Sequence, residues 1–453
     1  MTSNERRAVS ALSLIMALRM VGLFMILPVF ALYAHNLQGV TPTLLGLAMG
    51  IYGLTQALLQ IPFGALSDRL GRKPIICCGL LLFAAGSLIA AMSHTISGMI
   101  IGRALQGTGA VGSTIMAMIA DLTREQHRTK AMAIAGMTIG LSFSVAMVLG
   151  PILTRWIAVG DLFFLATIFS LVAIGVLYTI VPKPAVSTWH RETEPELSAF
   201  STLFKNPELM RLNSGIFILH VILTASFVAI PITLQNYTGL AEQQQGFLYT
   251  PTLLLAFIFT LTLIIIAEKK QQLKSFFIIS IIVLALSEAL FWLAPHSLAI
   301  MAMALTLFLT GFSVLEAFLP SLVSKTAPAA RKGTALGIYS CAQFFGIFVG
   351  GLVGGLLYQQ FHLLSIYLFC VVISLVWLII ASSMKPPRHL STYLLKLSPS
   401  HWQTIEATVK CIPGVAEAAY VPEEGIAYLR IEKRTLQHPD FLHLQETLQS
   451  QHK

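Results

Sequence analysis

Apolar runs close to bilayer length recur along this chain, each closed by a short break of charged residues, Pro, Gly or Asn. A spanning helix takes roughly 20 apolar residues, and twelve runs approach that length: 10–33, 43–66, 75–92, 97–120, 130–154, 161–181, 210–234, 246–267, 275–294, 298–323, 333–358 and 363–384. The pattern predicts an all-α polytopic membrane protein with twelve transmembrane helices. A polar, proline-punctuated interval (Lys183, Pro184, Arg191, Glu192, Glu194, Pro195, Glu196) divides them six and six. The expected domains are a six-helix bundle over 1–182, a cytoplasmic linker over 183–208 and a second six-helix bundle over 209–385. An offset of 203 residues superposes Pro28 on Pro231 and Arg128 on Arg331, a faint internal repeat of the kind two-bundle transporters carry.

Beyond Pro386-Pro387 the pattern changes. Strand-like 393–397, helix-like 402–411, strand-like 416–421 and 426–431 and a helix near 441–448 spell βαββα. That predicts a small α+β ferredoxin-like domain over 389–453, short of a fourth strand, on the cytoplasmic face.

Charge sharpens the picture. Only 11% of residues are charged and 56% are apolar, against about 25% charged in soluble proteins. The net charge of +9 is dispersed among apolar helices, which excludes a nucleic-acid surface. Lys and Arg fall on alternate connections (Arg69, Arg72, Lys73; Arg124, Arg128, Lys130; Lys269, Lys270, Lys274; Lys325, Arg331, Lys332; Lys385, Arg388), with Arg155 the exception. Positive residues stay inside, so both termini are expected in the cytoplasm of a multi-pass inner (plasma) membrane protein. The first run is too long for a signal peptide and carries Arg19. Five cysteines without CxxC or Cys/His spacing indicate neither a disulfide framework nor a metal site, and no cofactor is expected. HExxH, Walker and GxSxG motifs are absent, which argues against an enzyme and against direct ATP drive.

The densest charge in the first hundred residues is Gly64-x-x-x-Asp68-Arg69-x-Gly71-Arg72-Lys73, between the second and third runs. This loop resembles the signature of the major facilitator superfamily. Arg103-x-x-Gln106-Gly107-x-Gly109 resembles the family's second motif, and Gly136, Gly140 and Gly150-Pro151 resemble the motif of its antiporter branch. Gly107-x-Gly109-x-x-Gly112 also matches a dinucleotide fingerprint, but no strand precedes it, and close helix packing is the better reading. The corresponding loop of the second half, Glu268-Lys269-Lys270 to Lys274, keeps only the basic character. Helix count, linker and appended domain resemble the drug/proton antiporters of the superfamily that carry a C-terminal ferredoxin-like domain. The run 409–415 is also similar to heavy-metal-associated domains, without their CxxC.

The resemblance implies alternating access: proton-coupled efflux of small hydrophobic or cationic compounds, with the substrate, protons and membrane lipid as partners and an unidentified ligand for the C-terminal domain. A nutrient symporter or uniporter, or a sensor signalling through 389–453, are the alternatives. Intramembrane charges are costly and mark function. Arg19 and Arg103 are candidates to line the cavity between the halves, and Glu316 is the clearest acid of the second half. His220, with an unperturbed pKa of about 6.5, exchanges protons or simply packs. Glu316 is either functional or paired with a cation such as Lys325, and Glu288 is expected nearer the outer surface. In the gate that the resemblance implies, Asp68 accepts hydrogen bonds from the start of the eleventh helix near Gly333 and Thr334, or else only orders its turn. Arg72 pairs with Asp121.

Overall fold

The computed structural model describes residues 1–182, 203–327, 332–384, 390–396, 402, 409, 415–421 and 426–432. The chain divides into two compact units, Met1–Lys385 and Pro386–Lys453. In the first, fourteen helices are described: α1 (Ser3–Phe24), α2 (Leu27–Ala34), α3 (Pro42–Leu70), α4 (Arg72–Met92), α5 (Ile96–Thr108), α6 (Gly112–Asp121), α7 (Glu125–Leu153), α8 (Val159–Thr179), α9 (Pro207–Thr238), α10 (Glu242–Lys270), α11 (Leu273–Leu293), α12 (Leu298–Thr326), α13 (Lys332–Gln360) and α14 (Ser365–Ser382). Eleven helical segments among the described residues are long and apolar enough to cross a membrane, α1 and α2 counting as one.

Two expected spans are broken rather than continuous. The first breaks at Met25 and Ile26, just before Pro28, whose missing N–H leaves the Phe24 carbonyl without its usual helical donor. The fourth breaks at Gly109 to Val111, so α5 and α6 are each too short to span alone. Glycines at and beside the break let α3 and α4 approach closely. A Cβ on Gly107 would stand 2.8 Å from the Tyr52 carbonyl carbon of α3, and one on Gly109 3.1 Å from Phe83 Cβ of α4. Thr55 Oγ1 of α3 also donates to the Ala104 carbonyl (2.8 Å), anchoring the end of α5.

Helices α1 and α3 to α8 pack largely among themselves, as do α9 to α14, and the two sets meet along α3 and α13. That seam consists of facing glycines. A Cβ on Gly50 would lie 2.8 Å from the Phe348 carbonyl oxygen, and one on Gly351 2.9 Å from the Gly50 nitrogen. Absent side chains let the backbones touch, as in other small-residue membrane contacts. The seam starts where Thr43 N–H donates to Gln359 (3.2 Å) and reaches Cys341 Sγ, which donates to the Ala57 carbonyl (3.4 Å). Beyond it, Gly333 and Gly337 of α13 have nothing within 4 Å of their Cβ positions. The second contact between the sets repeats the asymmetry: Gly246 of α10 packs on Pro151 of α7, while Gly136 and Gly140 of α7 are open. The unit is therefore shut at the Pro42 end and parted toward the Leu70 end.

The second unit contains β1 (Leu390–Lys396), β2 (Val415–Val421) and β3 (Ile426–Glu432), an antiparallel sheet in the order β1-β3-β2. Its first strand starts three residues before the expected 393, and the pairing Tyr393↔Leu429 fixes the register with β3. The helices expected over 402–411 and 441–448 lie outside the described residues apart from helical Trp402 and Val409, as does 183–202 of the linker expected over 183–208, whose last two residues open α9.

Candidate transport site and gate

The loop between α3 and α4 is held by one arginine. Gly71 closes α3 at φ +93°, a backbone conformation that favours glycine. Arg72 then turns back along α3: its Nη1 donates to Ser67 Oγ (2.7 Å) and pairs with Asp68, while its Nε donates to Asp121 of α6 (2.9 Å). Ser67 in turn donates to the Gly64 carbonyl (2.7 Å), and Lys73 Nζ donates to the Val181 carbonyl beyond α8 (2.6 Å). Arg69 is exposed. In this structure Asp68 pairs with Arg72, and the Gly333 Cβ position at the start of α13 has nothing within 4 Å. Gly64 makes only ordinary contact, its Cβ position lying 3.7 Å from Ser113 Oγ, so the turn rests on Gly71.

The two arginines expected to line the space between the halves lie instead inside the first set of helices. Arg103 is 4% exposed and spends all three nitrogens: Nε on the Ala48 carbonyl (3.3 Å), Nη2 on the Met49 carbonyl (3.3 Å) and Nη1 on Gln106 (2.6 Å). Its guanidinium caps the Tyr52 ring at 4.3 Å, and Gln106 passes the chain of bonds on to Ser87 (2.9 Å). This arginine stitches α5 to α3. Arg19 of α1 is 1% exposed and donates to Gln56 of α3 (3.0 Å).

The second set holds the acids. Glu316 of α12 shares Gln343 of α13 with His220 of α9. The Gln343 amide nitrogen donates to Glu316 Oε1 (3.0 Å) and lies 3.0 Å from His220 Nε2. His220 Nδ1 faces the Ile216 carbonyl (3.2 Å), so the proton belongs on Nδ1 and Nε2 is the accepting nitrogen. Glu316 Oε2 has no hydrogen-bond partner and sits 3.8 Å from that nitrogen. His220 is 2% exposed and Phe312 packs edge-on against it, whereas the Glu316 side chain is 31% exposed. Among the described residues, a histidine and an amide face Glu316 rather than a cation such as Lys325. Gln343 went unnoticed in the sequence, although a lone amide in an apolar run is itself a signal. Glu288 of α11 is fully buried, accepting from Ser226 of α9 (2.7 Å).

A further missed contact ties the N-terminus down. Thr2 and Glu5 form a capping box on α1, and the Glu5 carboxylate accepts from the Arg124 backbone N–H (3.1 Å) and its Nε (2.7 Å). Glu5 pushes the Arg124 guanidinium above its usual pKa. The Thr-x-x-Glu spacing was the available signal. Of the antiporter-type motif, Gly150 is packed so closely that a Cβ would stand 2.9 Å from the Met25 carbonyl carbon, at the α1–α2 break, while Gly140 is free.

A profile described as Major Facilitator Superfamily matches residues 12–228 and again 212–410. The chain belongs to the Major Facilitator Superfamily. It is 41% identical over 437 residues to the inner membrane transport protein YajR of Escherichia coli (strain K12), covering 96% of each chain. Over 215 residues it is 29% identical to the quinolone resistance protein NorA of Staphylococcus aureus (strain N315), 45% of this chain and 50% of NorA. Among solved structures, a D-xylose-proton symporter superposes with a TM-score of 0.69 at 17% identity, covering 85% of this chain and 99% of that one, a likeness of fold alone. This superfamily member is a multi-pass membrane protein and a secondary transporter of a small molecule, not an enzyme.

Proposed function

We propose that the chain exports small hydrophobic or cationic compounds in exchange for protons, with Glu316 as the exchanging carboxyl. The observation that carries this is the unpartnered Glu316 Oε2 facing the accepting nitrogen of His220 at 3.8 Å, inside otherwise apolar helices. A carboxyl in that position holds either a proton or the positive end of a substrate, and competition between them couples the two fluxes. The similarity to a protein named for quinolone resistance favours drug-like cargo and the outward direction.

In this reading both termini and the α3–α4 loop are cytoplasmic, so the structure is the inward-facing state, with the α3–α13 glycine seam as its outer closure. In the outward-facing state Asp68 leaves Arg72 alone with Asp121 and accepts hydrogen bonds from the first turn of α13. The β1-β3-β2 order supports reading the C-terminal unit as a ferredoxin-like domain.

The test is dye or drug flux in everted vesicles under an imposed pH gradient, with substrate-induced proton release measured on purified protein. Glu316→Gln is expected to abolish proton release while still binding substrate. Unchanged release in the variant excludes Glu316, and accumulation in the opposite direction identifies a symporter.

A further inference from the structure

Arg19 differs from the other buried arginine in what it leaves unsatisfied. Arg103 uses Nε, Nη1 and Nη2 on three acceptors. Arg19, just as buried, uses Nη2 alone, and its Nε and Nη1 have no partner. No ion pair among the described residues involves it. Its ring contact is weak, with the guanidinium 5.6 Å from the centre of Phe83 of α4.

Gln56 adds to the imbalance. A guanidinium only donates, so Gln56 presents Oε1 to it. The Gln56 amide nitrogen also has no partner, and the residue is 1% exposed. Three nitrogens on two adjoining buried side chains therefore offer hydrogens, beside a charge that stays ionised. A ligand that only accepts, and that carries one negative charge, answers both deficits. Uncompensated charge in a protein interior costs several kcal/mol, and charge-assisted bonds to an anion are the strong kind.

We propose that Arg19 and Gln56 form an occluded binding site for a small monovalent anion of the halide type, placed among α1, α3 and α4. The near-zero exposure of both residues selects a compact ion over the end of a large substrate. The bound ion ties α1 to α3 and neutralises a buried guanidinium that no carboxylate among the described residues pairs with. The site stands apart from Glu316, which lies in the other set of helices.

The test uses the full-length protein in detergent, with chloride or bromide exchanged for gluconate at constant ionic strength. Halide is expected to raise the midpoint of thermal unfolding saturably in wild type, by about 2 °C or more at saturation, and Arg19→Gln is expected to abolish the rise. Gln56→Leu keeps the guanidinium, removes one donor and is expected to raise the half-saturating halide concentration several-fold. Anomalous diffraction from bromide crystals requires no variant and is expected to place an ion within about 3.5 Å of the Arg19 nitrogens. A wild-type midpoint indifferent to halide, an equal rise in Arg19→Gln, or bromide peaks only elsewhere overturns the proposal. None of these readouts measures transport, so their failure leaves proton exchange at Glu316 standing, and the reverse holds too.

Discussion

Replacing Gly46 with alanine drives a methyl group into the α3–α13 seam. The added Cβ would stand 2.8 Å from Gly355 Cα and closer still to the Gly351 carbonyl, where ordinary contact begins at 3.4 Å. The obstruction is backbone on both counts, so no side-chain rotation relieves it. The helices must separate by at least about 0.6 Å, and the contacts from Thr43–Gln359 to Ala57–Cys341 share one rigid interface. Overpacking of this kind costs roughly 1–3 kcal/mol. If only the closed form of this end pays it, the closed-to-open ratio falls by about 5- to 150-fold. Spin labels at exposed Asn36 and Gln360, in a background free of other cysteines, report the separation by electron–electron double resonance. Gly46→Ala should lengthen the main distance or add a longer one, and Gly46→Val should do so more strongly. Unchanged distance distributions in both variants would refute the claim that backbone contact at these glycines holds this end shut.

Two further outcomes follow from the same geometry. Gly150→Ala meets the Met25 backbone and should lower thermal stability in detergent by about 1–3 kcal/mol, whereas Gly140→Ala, with open space around it, should behave as wild type; equal effects would contradict the packing described at the α1–α2 break. Asp68→Asn removes a half-exposed ion pair with Arg72, worth only about 0.2–1 kcal/mol, so stability should barely change while proton-driven efflux is lost. Wild-type efflux in that variant confines Asp68 to ordering its turn.

The C-terminal unit shows how far local pattern reaches. The runs 416–421 and 426–431 coincide with β2 and β3 within a residue, since alternation and the Pro-Glu-Glu-Gly break are local properties. The order β1-β3-β2 depends on pairing across distant segments, as Tyr393 with Leu429 shows.

In the membrane unit the sequence by itself determined the number and placement of apolar spans, because bilayer thickness and backbone satisfaction leave a helix no alternative. It also determined the composition of the α3–α4 loop, down to the glycine at 71 that the positive φ uses. Tertiary structure alone decided the rest. The close approach of α3 and α4 to Gly107 and Gly109, beside the break in the fourth span, is a tertiary contact. That Asp68 pairs with Arg72 while the first turn of α13 stands open depends on how two helices more than 260 residues apart in the chain pack. Arg19 and Arg103 read alike in the sequence, as single cations in apolar runs. What separates them is which carbonyls and amides happen to face each one, and a linear pattern does not carry that information.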